Sequence, residues 1–231
     1  MILWPLVERV YKRDAIGRFG SGGPLAFDSG ADGHAQMQAA YADWQDGLSV
    51  REGKAYGFYA STEYKAVNGQ LRDGRLPEAG SLEDSIVKNM DASLARTSVP
   101  EAITVYRATN YRNVPKAGHG LEPGETFTDR GFVSTSIGRK EGGKFGHYLH
   151  DAGAVPVVLK IDVPMGAKGG YLEGAPIMGD RKRSEMREYE LVLPRNTTFR
   201  VKGYTFETFP NPWDPGVSPT SMGVLSVEVV P

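Results

Sequence analysis

The feature that most limits how this chain can fold is a change of texture at Pro100. Ahead of it, from residue 35 to about 97, apolar residues recur at helical spacing, with Met37, Tyr41, Trp44 and Leu48 as one series. Ser61 is placed to cap a helix carrying Tyr64, Val67, Asn68, Leu71 and Arg72. A third helix follows Pro77, where Ser81-x-x-Asp84 resembles a capping box and Leu82, Ile86, Met90 and Leu94 follow at steps of four. After Pro100, short apolar segments are punctuated by glycine and proline: Ile103–Tyr106, Phe132–Ser136, Val155–Val163, Tyr189–Leu193, Phe199–Val201 and Val224–Val229. They read as strands about five residues long. Helices first and strands afterwards predict an α+β fold, not an alternating parallel α/β one.

A chain of 231 residues accommodates one ordinary domain plus an extension, or one large mixed domain. Residues 13–33 are rich in glycine and polar residues and read as a linker, which divides the chain into a segment 1–33 and a folded domain 34–231. The absence of cysteine excludes disulfides, thiolate zinc sites and cysteine nucleophiles. A net charge of -1 supplies no general attraction to nucleic acid or to an anionic membrane. No apolar run approaches the roughly 20 residues of a membrane span, and the apolar start is too short for a secretory signal peptide. His147 and His150 lack an obvious third ligand, so a surface role and no metal are expected. The glycine clusters lack the lysine of a phosphate loop and the pattern of a dinucleotide fingerprint. Arg181-Lys182-Arg183 reads as a solvated loop, not a nucleic-acid stripe.

Three polar sites interrupt the strands. Alternation puts Arg107 on the face of Ile103 and Val105, at a strand end where a guanidinium can bind a phosphate or carboxylate through paired hydrogen bonds. Ser134 and Ser136 share a face and Thr135 turns away, and such hydroxyls can orient a carboxylate on a neighbouring strand. Glu188 and Glu190 are expected on one face, about 7 Å apart, with Tyr189, Leu191 and Leu193 on the other. Acids this close raise each other's proton affinity, and they are costly to bury unless a polar ligand or cation meets them. Each site also has a plain structural reading: an edge salt bridge, a polar strand end and an exposed strand face. A glycoside hydrolase fits poorly, because its two acids flank the scissile bond from separate elements.

Taken in order, Tyr106-Arg107, Ser134-Thr135-Ser136 and Glu188-Tyr189-Glu190 resemble the pattern of the arginine–serine–glutamate class of mono-ADP-ribosyltransferases. This class includes the enzyme components of clostridial binary toxins and the vegetative insecticidal proteins. The stretch Tyr64-x-x-x-Asn68-x-x-Leu71-Arg72 resembles the helix preceding the first motif, and Phe127-Thr128-Asp129-Arg130-Gly131-Phe132 resembles the usual lead into the second. The resemblance covers about residues 35–230 and implies a split pair of antiparallel sheets, with N-terminal helices flanking an NAD+ cleft.

Carried over by position, the resemblance implies that Arg107 binds NAD+ through its phosphates or nicotinamide-side ribose. Ser134 would hold Glu190, while Thr135 and Ser136 shape the pocket. Glu190 would bond the ribose hydroxyl and stabilise the cation formed as the glycosidic bond breaks. Glu188 would orient or deprotonate the acceptor guanidinium, since a glutamate there marks arginine as the acceptor in this class. Tyr64, Asn68 and Arg72 would join the NAD+ site. Phe145, in a glycine-rich segment, resembles the aromatic of a nicotinamide-covering loop, although Gly146, His147 and Tyr148 supply no arginine after it. Residues 179–186 (GDRKRSEM) would meet the target protein. NAD+ is thus a substrate, no metal is implied, and the partner is a protein presenting an arginine. An NAD+ glycohydrolase and an inert virion or interaction module remain as alternatives. The stretch RDAIGRFGSGG is similar to the starts of some tailed-phage head proteins. That implies a phage-encoded protein, carried with the head and acting in the host bacterial cytoplasm. The alternative is an effector delivered by secretion.

Overall fold

Capping chemistry sets where the helices begin. α1 (Gly30–Asp46) opens with a capping box in which Ser29 and Asp32 satisfy each other's backbone N–H groups, and it buries Met37 and Tyr41. α2 (Val50–Phe58) opens with a second box, Ser49 with Glu52. The helical path then continues through a wide π-type turn, Tyr59–Glu63, into α3 (Tyr64–Arg72). Ser61 therefore does not cap α3. Its backbone is non-helical inside this turn and its hydroxyl donates back to the Phe58 carbonyl, while Glu63 stands at the N-cap without a side-chain bond. α4 (Leu82–Ala95) starts on Ser81, whose Oγ accepts from the Asp84 N–H at 3.1 Å, but Asp84 turns to the Gly80 N–H, which leaves the expected box half made.

The computed structural model describes residues 23–117, 120–176, 187–211 and 219–230. Within them lies an eight-stranded sheet of order β2-β7-β8-β4-β1-β3-β6-β5. The strands are β1 (Ile103–Asn110), β2 (Thr126–Asp129), β3 (Val133–Ser136), β4 (Pro156–Val163), β5 (Gly170–Tyr171), β6 (Glu190–Leu193), β7 (Thr197–Phe209) and β8 (Thr220–Val230). All neighbours pair antiparallel except β4 with β8, which run parallel. The parallel pair is the one exception to the expected antiparallel pairing, and the intervening strands β5 to β7 supply the long crossover that it needs. The sheet is not closed. Its two parts, β2-β7-β8-β4-β1 and β3-β6-β5, meet at a single described pair, Tyr106 opposite Ser136.

Helix α5 (Arg139–Asp151) occupies the glycine-rich stretch expected as a loop. Gly142, Gly143 and Gly146 line its inward side: a Cβ on them would fall 2.4 Å from Tyr106, from Phe209 and from Met222 respectively. Only bare backbone can come this close to the sheet. Three cores result. The largest joins Met37 and Tyr41 of α1 to Val105, Val133, Leu191 and Phe199, a second packs Tyr56, Tyr59, Ile86 and Met90 on Phe132 and Val192, and a third lies beneath α5. The chain is bound to the sheet before the expected boundary at 33, because Leu25 bridges Ile103 and Phe27 bridges Gly138. The glycine-rich start, residues 1–22, lies outside the described residues. Among the described residues no helix is long and apolar enough to cross a membrane.

Glu52 ties this helical layer together. Its Oε1 accepts from Arg96 Nη1 at 2.7 Å and its Oε2 from Nη2 at 3.0 Å, joining α2 to the end of α4. Arg96 holds the Glu52 carboxyl below its ordinary value of 4.5, against the opposing effect of burial. The contribution is complete above that value and is lost as pH falls through the lowered one. Glu52→Gln should therefore destabilise the protein by about 1 kcal/mol near neutrality. Thermal melts across about pH 3 to 7 should show that difference shrinking with acid.

Candidate active site

The joint between the two parts of the sheet gathers the motif residues. Ser136 faces Tyr106 of β1 on one side and Glu190 of β6 on the other, and Ser134 stands opposite Val192. In backbone register the residue directly across from Glu190 is thus Ser136. Ser134 is a diagonal neighbour and its Oγ donates to Tyr59 Oη at 3.3 Å. Thr135 turns away as expected and is spent on the sheet, donating to the Leu191 carbonyl at 2.6 Å.

Beyond the bridge β1 and β3 part, and Arg107 reaches across: Nη1 donates to the Ser134 carbonyl at 2.8 Å. Alternation starts the Arg107 side chain on the face of Ile103 and Val105, but its guanidinium crosses the gap into electrostatic reach of Tyr59 and Glu190. The motifs therefore converge at the seam between the strands. Withdrawal from water lowers the proton affinity of Arg107, and the nearby Arg72 cation lowers it further, against Asp129, Tyr59 and Glu190. Glu190 is 7% exposed and so points inward. Burial is the main reason the Tyr56 and Tyr59 hydroxyls hold their protons so tightly, and the Glu190 charge adds to it.

Asn68 and Tyr59 hold the start of β3. Asn68 is 2% exposed; its Oδ1 accepts from the Phe132 N–H at 2.9 Å, and its Nδ2 donates to the Phe132 carbonyl at 3.1 Å and to Tyr59 Oη at 2.9 Å. Tyr59 Oη donates to the same carbonyl at 3.3 Å. A side-chain amide here serves as a partner strand for one residue, so Asn68, expected at the ligand, is committed to the scaffold. Tyr59 went unrecognised in the sequence, inside the stretch that reads as helical.

Arg72 pairs with Asp129 through two 2.9 Å bonds, Nε to Oδ1 and Nη2 to Oδ2. Burial opposes charge on Arg72, and Asp129 outweighs it, so its pKa is raised. Arg72, Arg107, Arg130, Asp129, Thr109 and Asn113 line a cavity of about 430 Å³. Its size and guanidinium-rich wall suit an anionic ligand. Glu190 lies outside this lining.

Other expectations change. Tyr64 is 44% exposed on the outer side of α3. Phe145 belongs to α5, not to a covering loop, and is 41% exposed. His147 of α5 is buried against the paired ends of β7 and β8, its Nε2 3.2 Å from the Phe209 carbonyl and its Nδ1 3.3 Å from Thr220 Oγ1, so the expected surface role holds for His150 alone. Among the described residues no group of three or more His, Asp or Glu is placed to hold a metal. Glu188 precedes β6, and Tyr189 has φ 47, which breaks the alternation expected to place Glu188 beside Glu190. The Tyr189 ring nevertheless joins Leu191 and Leu193 in the main core. Residues 179–186, with Arg181-Lys182-Arg183, lie outside the described residues.

A family model for the ADP-ribosyltransferase exoenzyme domain matches residues 35–218. The fold is similar to that of Plx2a, an ADP-ribosyltransferase toxin from Paenibacillus larvae, with a TM-score of 0.66 and 18% identity over 90% of this chain and 100% of that one. It is also similar to BECa, an ADP-ribosylating toxin of a binary enterotoxin of C. perfringens solved with NADH, with a TM-score of 0.63 and 18% identity over 90% of this chain and 50% of that one. The present chain thus spans half of that toxin component. The C3 exoenzyme of Clostridium limosum gives a TM-score of 0.63 at 20% identity over 90% of this chain and 98% of that one. No curated protein sequence matches.

The Asn68 clamp has a measurable weight. Asn68→Ala leaves the Phe132 N–H and carbonyl without their amide partner and should cost about 2–4 kcal/mol in a denaturant titration. A loss within about 0.5 kcal/mol, ordinary for a surface change, would show that β3 is held by other means.

Proposed function

The chain belongs to the ADP-ribosyltransferase exoenzyme family, and on that premise we propose that it transfers ADP-ribose from NAD+ to an arginine side chain of a target protein, with Glu190 as the central catalytic residue. The observation that carries this reading is the seam itself. Arg107 donates to the Ser134 carbonyl, and Ser136 lies opposite Glu190, so motifs separated in the chain share one joint.

Each group has a task suited to its setting. The Arg107 guanidinium, backed by Arg72 and Arg130 along the cavity wall, binds the diphosphate of NAD+. The NADH held by BECa supports a nicotinamide dinucleotide as the ligand. Cleavage of the nicotinamide–ribose bond leaves an oxocarbenium-like sugar, and nicotinamide departs with the bonding electron pair. Glu190, inward-facing on a strand, places fixed negative charge against that developing cation. Tyr59 and Ser134 hold β3 in place beside it. The acceptor guanidinium is cationic in water, with a pKa above about 12, and must lose a proton as its nitrogen bonds the sugar carbon. Glu188, half-buried just ahead of β6, aligns that nitrogen and takes the proton.

Incubating the full chain with labelled NAD+ and bacterial lysate tests the reading. Wild type should label protein, and Glu190→Ala should lower labelling by about 10²- to 10³-fold while remaining folded. A wild-type protein that neither consumes NAD+ nor labels anything would end the proposal. Label released only as free ADP-ribose would identify water as the acceptor. Glu188→Gln should suppress arginine labelling while sparing much of the NAD+ hydrolysis, and equal loss of both would contradict the separate tasks given to the two acids.

A further inference from the structure

We infer that Tyr189 is a positioning residue, which sets the direction of Glu188 relative to Glu190 by anchoring a left-handed backbone turn to helix α1. The inference rests on the transferase reading for its consequence, but its geometry stands alone. Tyr189 has φ 47, a conformation that crowds the Cβ of any residue other than glycine and persists only when the surroundings impose it. A turn of that kind between two acids replaces strand alternation as the determinant of where Glu188 stands.

The surroundings that impose it come from α1. A Cβ built on Gly30 would lie 2.4 Å from the Tyr189 Cγ and Cδ2 atoms, so the ring lies directly against the bare first residue of the helix. Gly30 is itself fixed, its N–H donating to Glu141 Oε2 at 2.9 Å while Ser29 Oγ donates to Glu141 Oε1 at 3.2 Å. One turn along α1, the His34 ring lies 5.5 Å from the Tyr189 ring, centre to centre, and its Nδ1 is 2.9 Å from Tyr171 Oη. Tyr171 pairs with Leu191 on β6, so α1 reaches the Tyr189 ring directly and the following strand through Tyr171. The backbone is held as well: the Tyr189 carbonyl accepts from the Ile137 N–H at 3.1 Å, and the Glu190 carbonyl accepts from the Leu172 N–H at 2.9 Å. With Glu190 fixed in the strand and Tyr189 fixed on the helix, the turn between them sets where the backbone of Glu188 stands relative to Glu190.

The test uses the full chain with NAD+ and agmatine as a guanidino acceptor. Tyr189→Phe keeps the ring on Gly30 and should retain the wild-type ratio of transfer to hydrolysis. Tyr189→Ala, and Tyr189→Leu if the smaller residue fails to fold, should lower transfer relative to hydrolysis by about tenfold to a hundredfold, with KM for NAD+ little changed. Loss of both activities in proportion, or an unchanged ratio, would overturn the inference. If the wild type shows neither activity, the transferase reading fails by itself. Crystal structures of the wild type and Tyr189→Leu then decide the positioning claim: residue 188 should shift relative to Glu190, and an unmoved residue 188 refutes it.

Discussion

Tyr106 and Ser136 form the one described residue pair that joins the two parts of the sheet, and the candidate site is built around that contact. A single backbone bridge is a weak connection, and the structure compensates by bracing it from every side. Arg107 crosses the gap just beyond it, α5 lies on Tyr106, and Asn68 with Tyr59 holds the approach to β3. The opening between the strands lets a polar side chain reach a main-chain carbonyl that a continuous ladder would have consumed. The site and the break in the sheet therefore have the same origin.

Charge is partitioned about this seam. Arg72, Arg107 and Arg130 line the cavity, and Asp129 neutralises one of them through paired bonds. The Glu190 carboxylate lies inward beyond that lining, within electrostatic reach of Arg107, Tyr56 and Tyr59. Both tyrosines remain neutral because burial denies them the phenolate form. Cation and carboxylate thus stand at different positions along the seam.

Much of this was legible in the sequence, for identifiable reasons. The spacing of Ile86, Met90 and Leu94 and the cap at Ser81 specify α4 locally, and the apolar run before Val163 specifies β4. The motif residues stood out because polar groups interrupted apolar strands. What escaped depended on tertiary contact. Gly142, Gly143 and Gly146 weaken helix propensity, so α5 looked like a loop until the sheet beneath it was in view. The largely exposed stretch from Thr205 to Thr208 lacks a continuous apolar run, and this shortened the expected β7. The left-handed Tyr189 is imposed by Gly30 and His34, distant in the chain, and no local pattern announces it. Tyr59 was hidden because a π-type turn gives no signature distinct from an ordinary helix.

The glycine side of α5 has a further meaning. A segment with three glycines turned inward gives up roughly 1 kcal/mol of intrinsic persistence at each of them. In isolation it would be a coil. It is wound because strands β1, β7 and β8 offer a wall to lie against, and hence its order is borrowed. Tyr106, half of the seam itself, is one of the residues it lies against, so the helix and the joint share a support.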